Sequence, residues 1–458
     1  MNRALRRRDV LIAGAAGVLT STVAAARAAP RRRPPNFIVV QCDDMGAGDW
    51  GRGAQGLIAT PHLDRLAREG STFTNFYAGA NLCTPSRAAM LTGRYAIRSG
   101  LARGVILADD ARGLPMSEVT IAEALRTTHR SALIGKWHLG HTGSSWMPTA
   151  HGFDLFYGLP YSHDIRPLSL FEAGGGQVRE EKEPPLDTLQ QRFWARAERF
   201  IIDNCAQPFF LDLSLSSPHL ENYPVAPFKG RSAAGPYGDT VEEIDDIVGR
   251  LTALLRQLEI ERDTLVLFTS DNGPWFEGSS GGGRGRKGDS GFDGGYRVPM
   301  IAWQPGTIPA GRVRDAIGMS IDFLPTFCAM TGTPPPAGVT LDGRDISAML
   351  RHGAVSPHAE SGLVLFDNED VVGIRTQRWK YVLGDYYRGP LMGLDARGYP
   401  QLYDMTRDSS ESYSVAAREP QMLATMRDRI AAARATFGPL STGPSGIRQP
   451  KEPSPAAY

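Results

Sequence analysis

Four short runs constrain the fold of this chain more than anything else in it. Asn36-Phe37-Ile38-Val39-Val40 and residues 264–269 are short, mostly apolar runs, the pattern of buried strands, and residues 131–137 and 208–216 are strand-like. Helix signals lie among them. Thr60-Pro61 opens a helix that ends at Gly70, with a capping threonine and a proline at the first helical position. Thr120-Ile121-Ala122-Glu123 has capping-box spacing, and residues 239–260 form a long amphipathic pattern. Strands alternating with helices predict an α/β fold, a large mostly parallel or mixed sheet flanked by helices. Active groups in such sheets collect at the carboxyl ends of strands. All four runs break off into polar residues there: Asp43-Asp44, His138, His219 and Asp271-Asn272.

Composition permits a core of that size. The 458 residues are 41% hydrophobic and 22% charged, too apolar for disorder and long enough for one large domain with an appendage. Fifty Lys+Arg against 49 Asp+Glu leave no electrostatic case for nucleic acid or an anionic membrane as partner. Four cysteines exclude a disulfide scaffold. No apolar run reaches the roughly 20 residues that span a bilayer, so no stable membrane anchor is expected.

Arg6-Arg7-Arg8 precedes an apolar stretch over residues 10–26 that closes on Ala26-Arg27-Ala28, a cleavage pattern. Residues 1–28 therefore read as an export signal peptide, with a retained basic anchor as the alternative. Arg7-Arg8-Asp9-Val10-Leu11 resembles the twin-arginine type, whose export machinery carries folded cargo, and predicts a periplasmic or secreted protein. Cleavage would remove five arginines and Asp9, leaving 45 basic against 48 acidic side chains, about −3. Residues 34–345 read as the main domain. Short strands over 362–366 and 371–383 and a helix over 421–437 predict a smaller α+β subdomain across 346–438. A loose tail rich in Pro and Ser is expected over 439–458, and Gly174-Gly175-Gly176 and Gly281-Gly282-Gly283 are candidate mobile loops.

Asp43, Asp44, Asp271 and Asn272 offer oxygen donors from two strand ends, with neither Cys nor His among them. Hard oxygen donors favour Ca²⁺ or Mg²⁺ over zinc. Asp-Asp alone is a common turn or cap, and Asn-Gly a turn dipeptide. The occurrence of both pairs on matched strand ends is what points to a cation.

Leu82-Cys83-Thr84-Pro85-Ser86-Arg87, continued by Thr92-Gly93-Arg94, resembles the signature of the sulfatase family, in which the cysteine is oxidised to formylglycine. The resemblance extends from Asn36 to about Glu411. It includes Asp43-Asp44-Met45-Gly46, Gly135-Lys136-Trp137-His138-Leu139-Gly140, Ser217-Pro218-His219, Ser270-Asp271-Asn272-Gly273-Pro274 and Arg284-Gly285-Arg286-Lys287-Gly288. Trp379-Lys380-Tyr381 and Leu402-Tyr403-Asp404 look like the family's C-terminal pattern. The resemblance implies an alkaline-phosphatase-like fold, a catalytic domain over 34–345, and hydrolysis of sulfate monoesters to an alcohol and inorganic sulfate. It implies that Asp43, Asp44, Asp271, Asn272 and modified Cys83 hold one Ca²⁺ or Mg²⁺, and that Arg87 braces the aldehyde hydrate. Lys136 and Lys287 would clamp sulfate oxygens. His219, with or without Lys287, would protonate the departing alcohol, and His138 would deprotonate the second hydroxyl of the hydrate to release sulfate. Ser162, in Tyr161-Ser162-His163-Asp164, resembles a secondary substrate-binding position of the arylsulfatase A type. A formylglycine-generating or other sulfatase-maturing enzyme is the implied partner.

The residue chemistry agrees with this. A sulfate ester must be gripped while charge builds on the leaving oxygen, which fixed cations and a divalent metal do best in a dry pocket. Histidine suits the proton traffic because its ordinary pKa is near 6.5. Taken singly, His138 reads equally as a satisfied core histidine, His219 as a loop residue and each lysine as a surface charge. Only six lysines occur among the 50 basic residues, however, and two of them, Lys136 and Lys287, fall in the motifs of the main domain. A phosphodiesterase or phosphonate monoester hydrolase with the same site, and a non-catalytic binder of sulfated glycans, are the alternatives. The alcohol portion, a sulfated small molecule such as an aryl sulfate or a sulfated carbohydrate, is left open, with Tyr161, residues 171–183, Trp275-Phe276 and Tyr386-Tyr387 as rim candidates. Asp293-Gly294-Gly295 departs from the family, where a glutamate commonly precedes the glycines, which puts local loop support in doubt. Cys42 reads as a packed small side chain, and Cys205 and Cys328 as structural.

Overall fold

The computed structural model describes residues 33–386 and 391–437. The expected signal over 1–28, the tail over 439–458, Tyr387 and the side chain of Tyr386 lie outside the described residues.

Two buried runs of the large sheet stop at a polar pair, Asp43-Asp44 and Asp271-Asn272. Its ten strands are β1 (Asn36–Cys42), β2 (Ser71–Phe73), β4 (Arg130–Lys136), β5 (Leu155–Leu159), β6 (Ser169–Gly174), β7 (Gln177–Lys182), β8 (Phe209–Ser214), β9 (Thr264–Ser270), β10 (Met300–Trp303) and β11 (Arg312–Arg314). They stand in the order β11-β2-β10-β9-β1-β8-β4-β5-β6-β7. The centre, β9-β1-β8-β4-β5, is parallel, and antiparallel strands extend it on both sides, so the sheet is mixed.

Period-two alternation divides the core. Ile38 and Val40 of β1 pack on one face with α1 (Pro61–Glu69), α4 (Leu189–Asn204) and α5 (Gly235–Gln257). Phe37 and Val39 pack on the other with α2 (Cys83–Thr92), α3 (Ile121–Leu125), α7 (Phe323–Thr331) and α8 (Ser347–His352). A fully buried Leu or Phe contributes about 1.5–3 kcal/mol, which fixes strand register because a one-residue slip would exchange the two faces. The expected capping box at Thr120 is present, with Thr120 Oγ1 accepting from Glu123 N–H at 3.2 Å. At Thr60 the proline holds its place, but the hydroxyl accepts from Gly51 N–H instead of capping its own helix.

Two short pairs, β3 (Phe76–Tyr77) with β12 (Gly318–Met319) and β16 (Gly384–Tyr386) with β17 (Leu391–Gly393), accompany a four-stranded antiparallel sheet. That sheet contains β13 (Leu363–Asp367), β14 (Asp370–Arg375), β15 (Trp379–Val382) and β18 (Gln401–Asp404). Residues 371–383, read as one strand, are two, because Thr376 turns the chain and its hydroxyl accepts from Trp379 N–H at 3.0 Å. Helix α9 (Pro420–Phe437) covers this sheet with Leu423, Met426 and Ile430, in a core shared with Tyr77, Ala89 and Tyr296 of α6 (Asp293–Tyr296).

The glycines at 174–176 form the tight turn of the β6-β7 hairpin. This turn lies beside Leu155, at the amino end of β5, so it is remote from the carboxyl edge of the sheet. The 281–283 loop is likewise tied down, by Arg297 Nη2 donating to the Ser280 and Gly281 carbonyls at 3.1 and 3.2 Å.

Candidate active site

Parallel pairing brings the acidic residues together. Cys42 stands opposite Ser270 in the β1-β9 register, so the chain leaves both strands with Asp43-Asp44 facing Asp271-Asn272. Asp44 adopts a left-handed φ of 66°, affordable for aspartate, and its N–H donates to Asp271 Oδ1 at 3.1 Å. Asp43, Asp271 and Asn272 are 0% exposed and Asp44 2%.

Cys83 is the first residue of α2, which points its amino end at this cluster. Its Sγ lies 3.5 Å from Asp43 Oδ1 and 3.9 Å from Asp44 Oδ1. One donor atom each from Asp43, Asp44, Cys83 and Asp271 lies within 4.8 Å of the other three. Asn272 Nδ2 donates to Asp44 Oδ1 at 2.7 Å, while Asn272 Oδ1 is buried with no partner among the described residues. Turning that amide over presents its oxygen to the cluster. An orphaned buried oxygen beside three carboxylates fits a hard divalent cation.

Three cations face the three carboxylates. Lys136 Nζ pairs with Asp43 Oδ2 at 2.7 Å, Lys287 Nζ with Asp44 Oδ2 at 2.7 Å, and Arg87 Nη2 with Asp271 Oδ2 at 2.7 Å. Arg87, one helical turn beyond Cys83, also reaches Asp43 Oδ1 at 3.7 Å, the Lys136 carbonyl at 3.1 Å and Ser214 Oγ at 2.5 Å. These six side chains balance one another in charge, and a divalent cation would add an excess of positive charge for an anionic substrate. Burial pushes the Asp43 carboxyl up, but Lys136, His219 and Arg87 outweigh it and hold the group well below its ordinary value. Burial raises Asp271 against the pull of Arg87. Burial opposes the charge on Lys136, but Asp43 and its neighbours raise that ammonium's pKa. Asp44 does the same for Lys287. The Cys83 thiol is pushed well above its usual range by burial, despite Lys136 and Lys287.

The histidines stand on two walls. His138 follows β4 with φ 58°, and its Nε2 lies 3.0 Å from the Ile106 carbonyl. A carbonyl only accepts, so Nε2 carries the proton and Nδ1, buried and unpartnered among the described residues, is a bare lone pair. Burial, Lys136 and Arg87 all depress its pKa and keep the ring neutral. His219 follows β8, with Nδ1 against the Leu220 carbonyl and Nε2 3.7 Å from Asp44 Oδ2. Ser162 is 2% exposed and adjoins His163, whose ring stands edge-on to His219 at 5.5 Å. His141 bonds the Ala108 carbonyl at 3.1 Å on the His138 wall, and His151 bonds the Ser145 carbonyl at 3.1 Å and packs on Trp137.

Among the rim candidates, Trp275 and Phe276 are exposed at 39% and 68%. Tyr161 is 4% exposed and donates its hydroxyl to the Pro167 carbonyl, so it belongs to the core and not to the rim. Cys42 is fully buried, and Cys328 is a free, buried thiol in α7. Asp293 does not lack support: it pairs with Lys380 at 2.6 Å and accepts from Tyr77. Ser214 and the Ile106 carbonyl, which contact Arg87 and His138, are not singled out by the sequence, and neither are the contacts of Asp293 with Lys380 and Glu411. Ser214, a polar end to a strand, carried some signal, whereas a backbone carbonyl carries none.

The mixed sheet, with a carboxylate cluster at its carboxyl edge and a small antiparallel sheet beside it, is the alkaline-phosphatase-like fold shared with solved sulfatases. The family model described as Sulfatase matches residues 35–333, and the chain belongs to the sulfatase family, enzymes that hydrolyse sulfate esters. It is 34% identical to human arylsulfatase A, over 98% of this chain and 95% of that one. It is 36% identical to N-acetylgalactosamine-6-sulfatase of Canis lupus familiaris, over 74% of this chain and 70% of the relative. Among solved structures, PsFucS1 sulfatase from Pseudoalteromonas sp. superposes with a TM-score of 0.81 at 30% identity, covering 88% of this chain and 90% of the other. Membership of this family implies a divalent cation and a formylglycine. Among the described residues no helix is long and apolar enough to cross a membrane.

Proposed function

We propose that this sulfatase acts through Cys83 converted to formylglycine, with one Ca²⁺ or Mg²⁺ held by Asp43, Asp44, Asp271, Asn272 and the modified residue. The observation that carries the reading is the balanced cluster of three carboxylates and three cations closing around the first residue of α2. When bound, the cation supplies charge that offsets the sulfate oxygens, and the aldehyde hydrate supplies the attacking hydroxyl.

The rest of the work falls to side chains already in place. Lys136 and Lys287 exchange part of their hold on Asp43 and Asp44 for sulfate oxygens, in a pocket where burial keeps water from screening them. His219, with Nδ1–H on the Leu220 carbonyl, presents Nε2 on the Asp44 side and delivers a proton to the departing alcohol oxygen. His138 is the base, accepting at Nδ1 because its Nε2–H is committed to Ile106. Arg87 holds Asp271, Asp43 and the first turn of α2 in register. Ser162 belongs to the His219 wall and binds the substrate indirectly or at its edge.

The unmodified thiol is a poor substitute, since burial keeps it protonated. It is also 1% exposed, so a maturing enzyme must reach Cys83 before the chain closes over it. Conversion before folding, followed by export of the folded enzyme to the periplasm, satisfies both constraints. The likeness to N-acetylgalactosamine-6-sulfatase favours a sulfated carbohydrate as natural substrate, and the exposed Trp275 and Phe276 offer a face on which a pyranose or an aryl ring can stack. Matched assays on one purified sample, using a sulfated sugar, an aryl sulfate and the corresponding phosphodiester, test this reading. Sulfate esters are expected to turn over faster, Cys83→Ala is expected to abolish turnover while keeping the fold, and the Cys83 peptide is expected to carry the aldehyde by mass spectrometry. Faster phosphodiester turnover, or unchanged turnover in Cys83→Ala, would overturn it.

A further inference from the structure

A second buried charge cluster lies outside the pocket. Lys380 of β15 is 0% exposed and its Nζ sits 2.6 Å from Asp293 Oδ1 and 2.6 Å from Glu411 Oε1, with Asp293 and Glu411 themselves 2% and 0% exposed. Glu411 Oε2 also accepts from the Asp293 N–H at 2.8 Å. Asp293 is the first residue of α6, so the small sheet and the segment after it grip the start of this helix by both its side chain and its backbone. An ion triad this deeply buried is a weak source of net stability, because desolvation consumes most of the Coulombic gain. Its worth lies in the geometry it enforces.

That geometry leads to the pocket through backbone contact. Gly294 N–H donates to the Arg284 carbonyl at 2.7 Å, and a Cβ added at Gly294 would lie 1.9 Å from the Gly285 oxygen. One added at Gly295 would lie 2.8 Å from the Arg286 oxygen. The paired glycines therefore let α6 seat directly on residues 284–286, with no side chain between to absorb a shift. The next residue is Lys287, whose N–H is held by the Pro274 carbonyl at 2.9 Å and whose Nζ meets Asp44. Gly273 N–H, next to Asn272, donates to the Gly295 carbonyl at 2.9 Å, so α6 touches both the cation-facing turn and the lysine arm.

We propose that Lys380 and Glu411 are positioning residues for the sulfate clamp, acting through Asp293 and the Gly294-Gly295 seat to set the reach of Lys287. The proposal rests on the assignment of Lys287 to a sulfate oxygen. It gives the small C-terminal sheet a part in anion binding although none of its residues need touch the anion. It also gives the aspartate before the paired glycines its support: the carboxylate is met by Lys380 and the Tyr77 hydroxyl, while Glu411 accepts from its backbone N–H.

The test is a double-mutant cycle in the full-length enzyme, read by calorimetric affinity for inorganic sulfate and by kcat/KM for a sulfate ester. Lys380→Met keeps the volume and removes the charge; thermal unfolding verifies that it is folded. If it is not, Lys380→Met/Glu411→Gln, which removes one charge of each sign, takes its place. Either variant is expected to lose at least tenfold in sulfate affinity and in kcat/KM when Lys287 is present, and less than twofold in sulfate affinity in a Lys287→Ala background. Arg378→Ala, which removes an exposed arginine paired with Asp404 on the same sheet, is expected to leave both readouts unchanged. Equal losses with and without Lys287, or no loss in a wild type that binds sulfate, overturn the positioning role and leave the sulfatase reading intact. A wild type that does not bind sulfate at all overturns the Lys287 assignment, and this inference with it.

Discussion

Replacing Arg87 by methionine isolates the electrostatics of the cluster. Methionine approximates the length and bulk of the arginine stem, so packing changes little, but the guanidinium leaves two carboxylates that are 0% exposed, Asp271 at 2.7 Å and Asp43 at 3.7 Å. Removing one partner of a buried pair costs about 3–5 kcal/mol, because the surviving charge has neither water nor counter-ion. The lost bonds to the Lys136 carbonyl and Ser214 Oγ act in the same direction. Set against a typical total of about 5–15 kcal/mol, the variant is folded but markedly weakened. The sign of its pH dependence also follows. Asp271 is already raised by burial, and without Arg87 its folded pKa climbs further above the unfolded value. The folded state then holds its proton to higher pH than the wild type does, so the deficit grows as pH rises from the folded value of Asp271 in the wild type towards the higher folded value in the variant. Urea unfolding of wild type and Arg87→Met between pH 5 and 8, in chelator, measures it. A deficit below about 1 kcal/mol, or one that shrinks with rising pH, would refute the claim that Arg87 neutralises this cluster.

Two further outcomes follow from the same geometry. Ca²⁺ or Mg²⁺ at about 100 times its dissociation constant should stabilise the wild type by about 2.7 kcal/mol, and Asp43→Asn/Asp271→Asn should abolish that gain; an unchanged midpoint in wild type on adding either ion argues against the ligand set. Burial, with help from His219, pushes His163 down to about 4. The unfolded chain therefore takes up a proton that the folded one refuses, and this contribution to stability, present above about pH 6.5, falls away between about pH 6.5 and 4. His163→Asn should flatten the acid limb of the urea midpoint by up to about 1.4 kcal/mol per pH unit; an identical slope in both proteins counts against a buried neutral ring.

What could be read from residue order is what depends on neighbours in sequence. Apolar alternation, the Thr120 capping box and the polar residues after each buried run are local features, and they were enough to place the sheet, its flanking helices and the strand ends that carry Asp43-Asp44, His138, His219 and Asp271-Asn272. The motif around Cys83 was equally legible because its members lie within one turn of helix. Where the local signal was ambiguous, packing decided between the alternatives. Glycines at 174–176 serve a hairpin turn as readily as a mobile loop, residues 371–383 divide at Thr376, and Tyr161 is spent on the core.

Pairing across long separations was decided only by the tertiary structure. Which lysine meets which aspartate, the 2.7 Å contacts of Lys136 and Lys287, depends on β1, β4 and the loop after β9 arriving at one edge. The tautomer of His138 is set by the carbonyl of Ile106, a group every residue possesses and no sequence pattern marks. Lys380, an unremarked lysine within a C-terminal motif, acquires its partners Asp293 and Glu411 only when the small sheet packs against α6. Local preferences select elements because they act over a few residues; charge partners and proton positions are selected by the packing of elements far apart in the chain, and that information exists only once the sheet has closed.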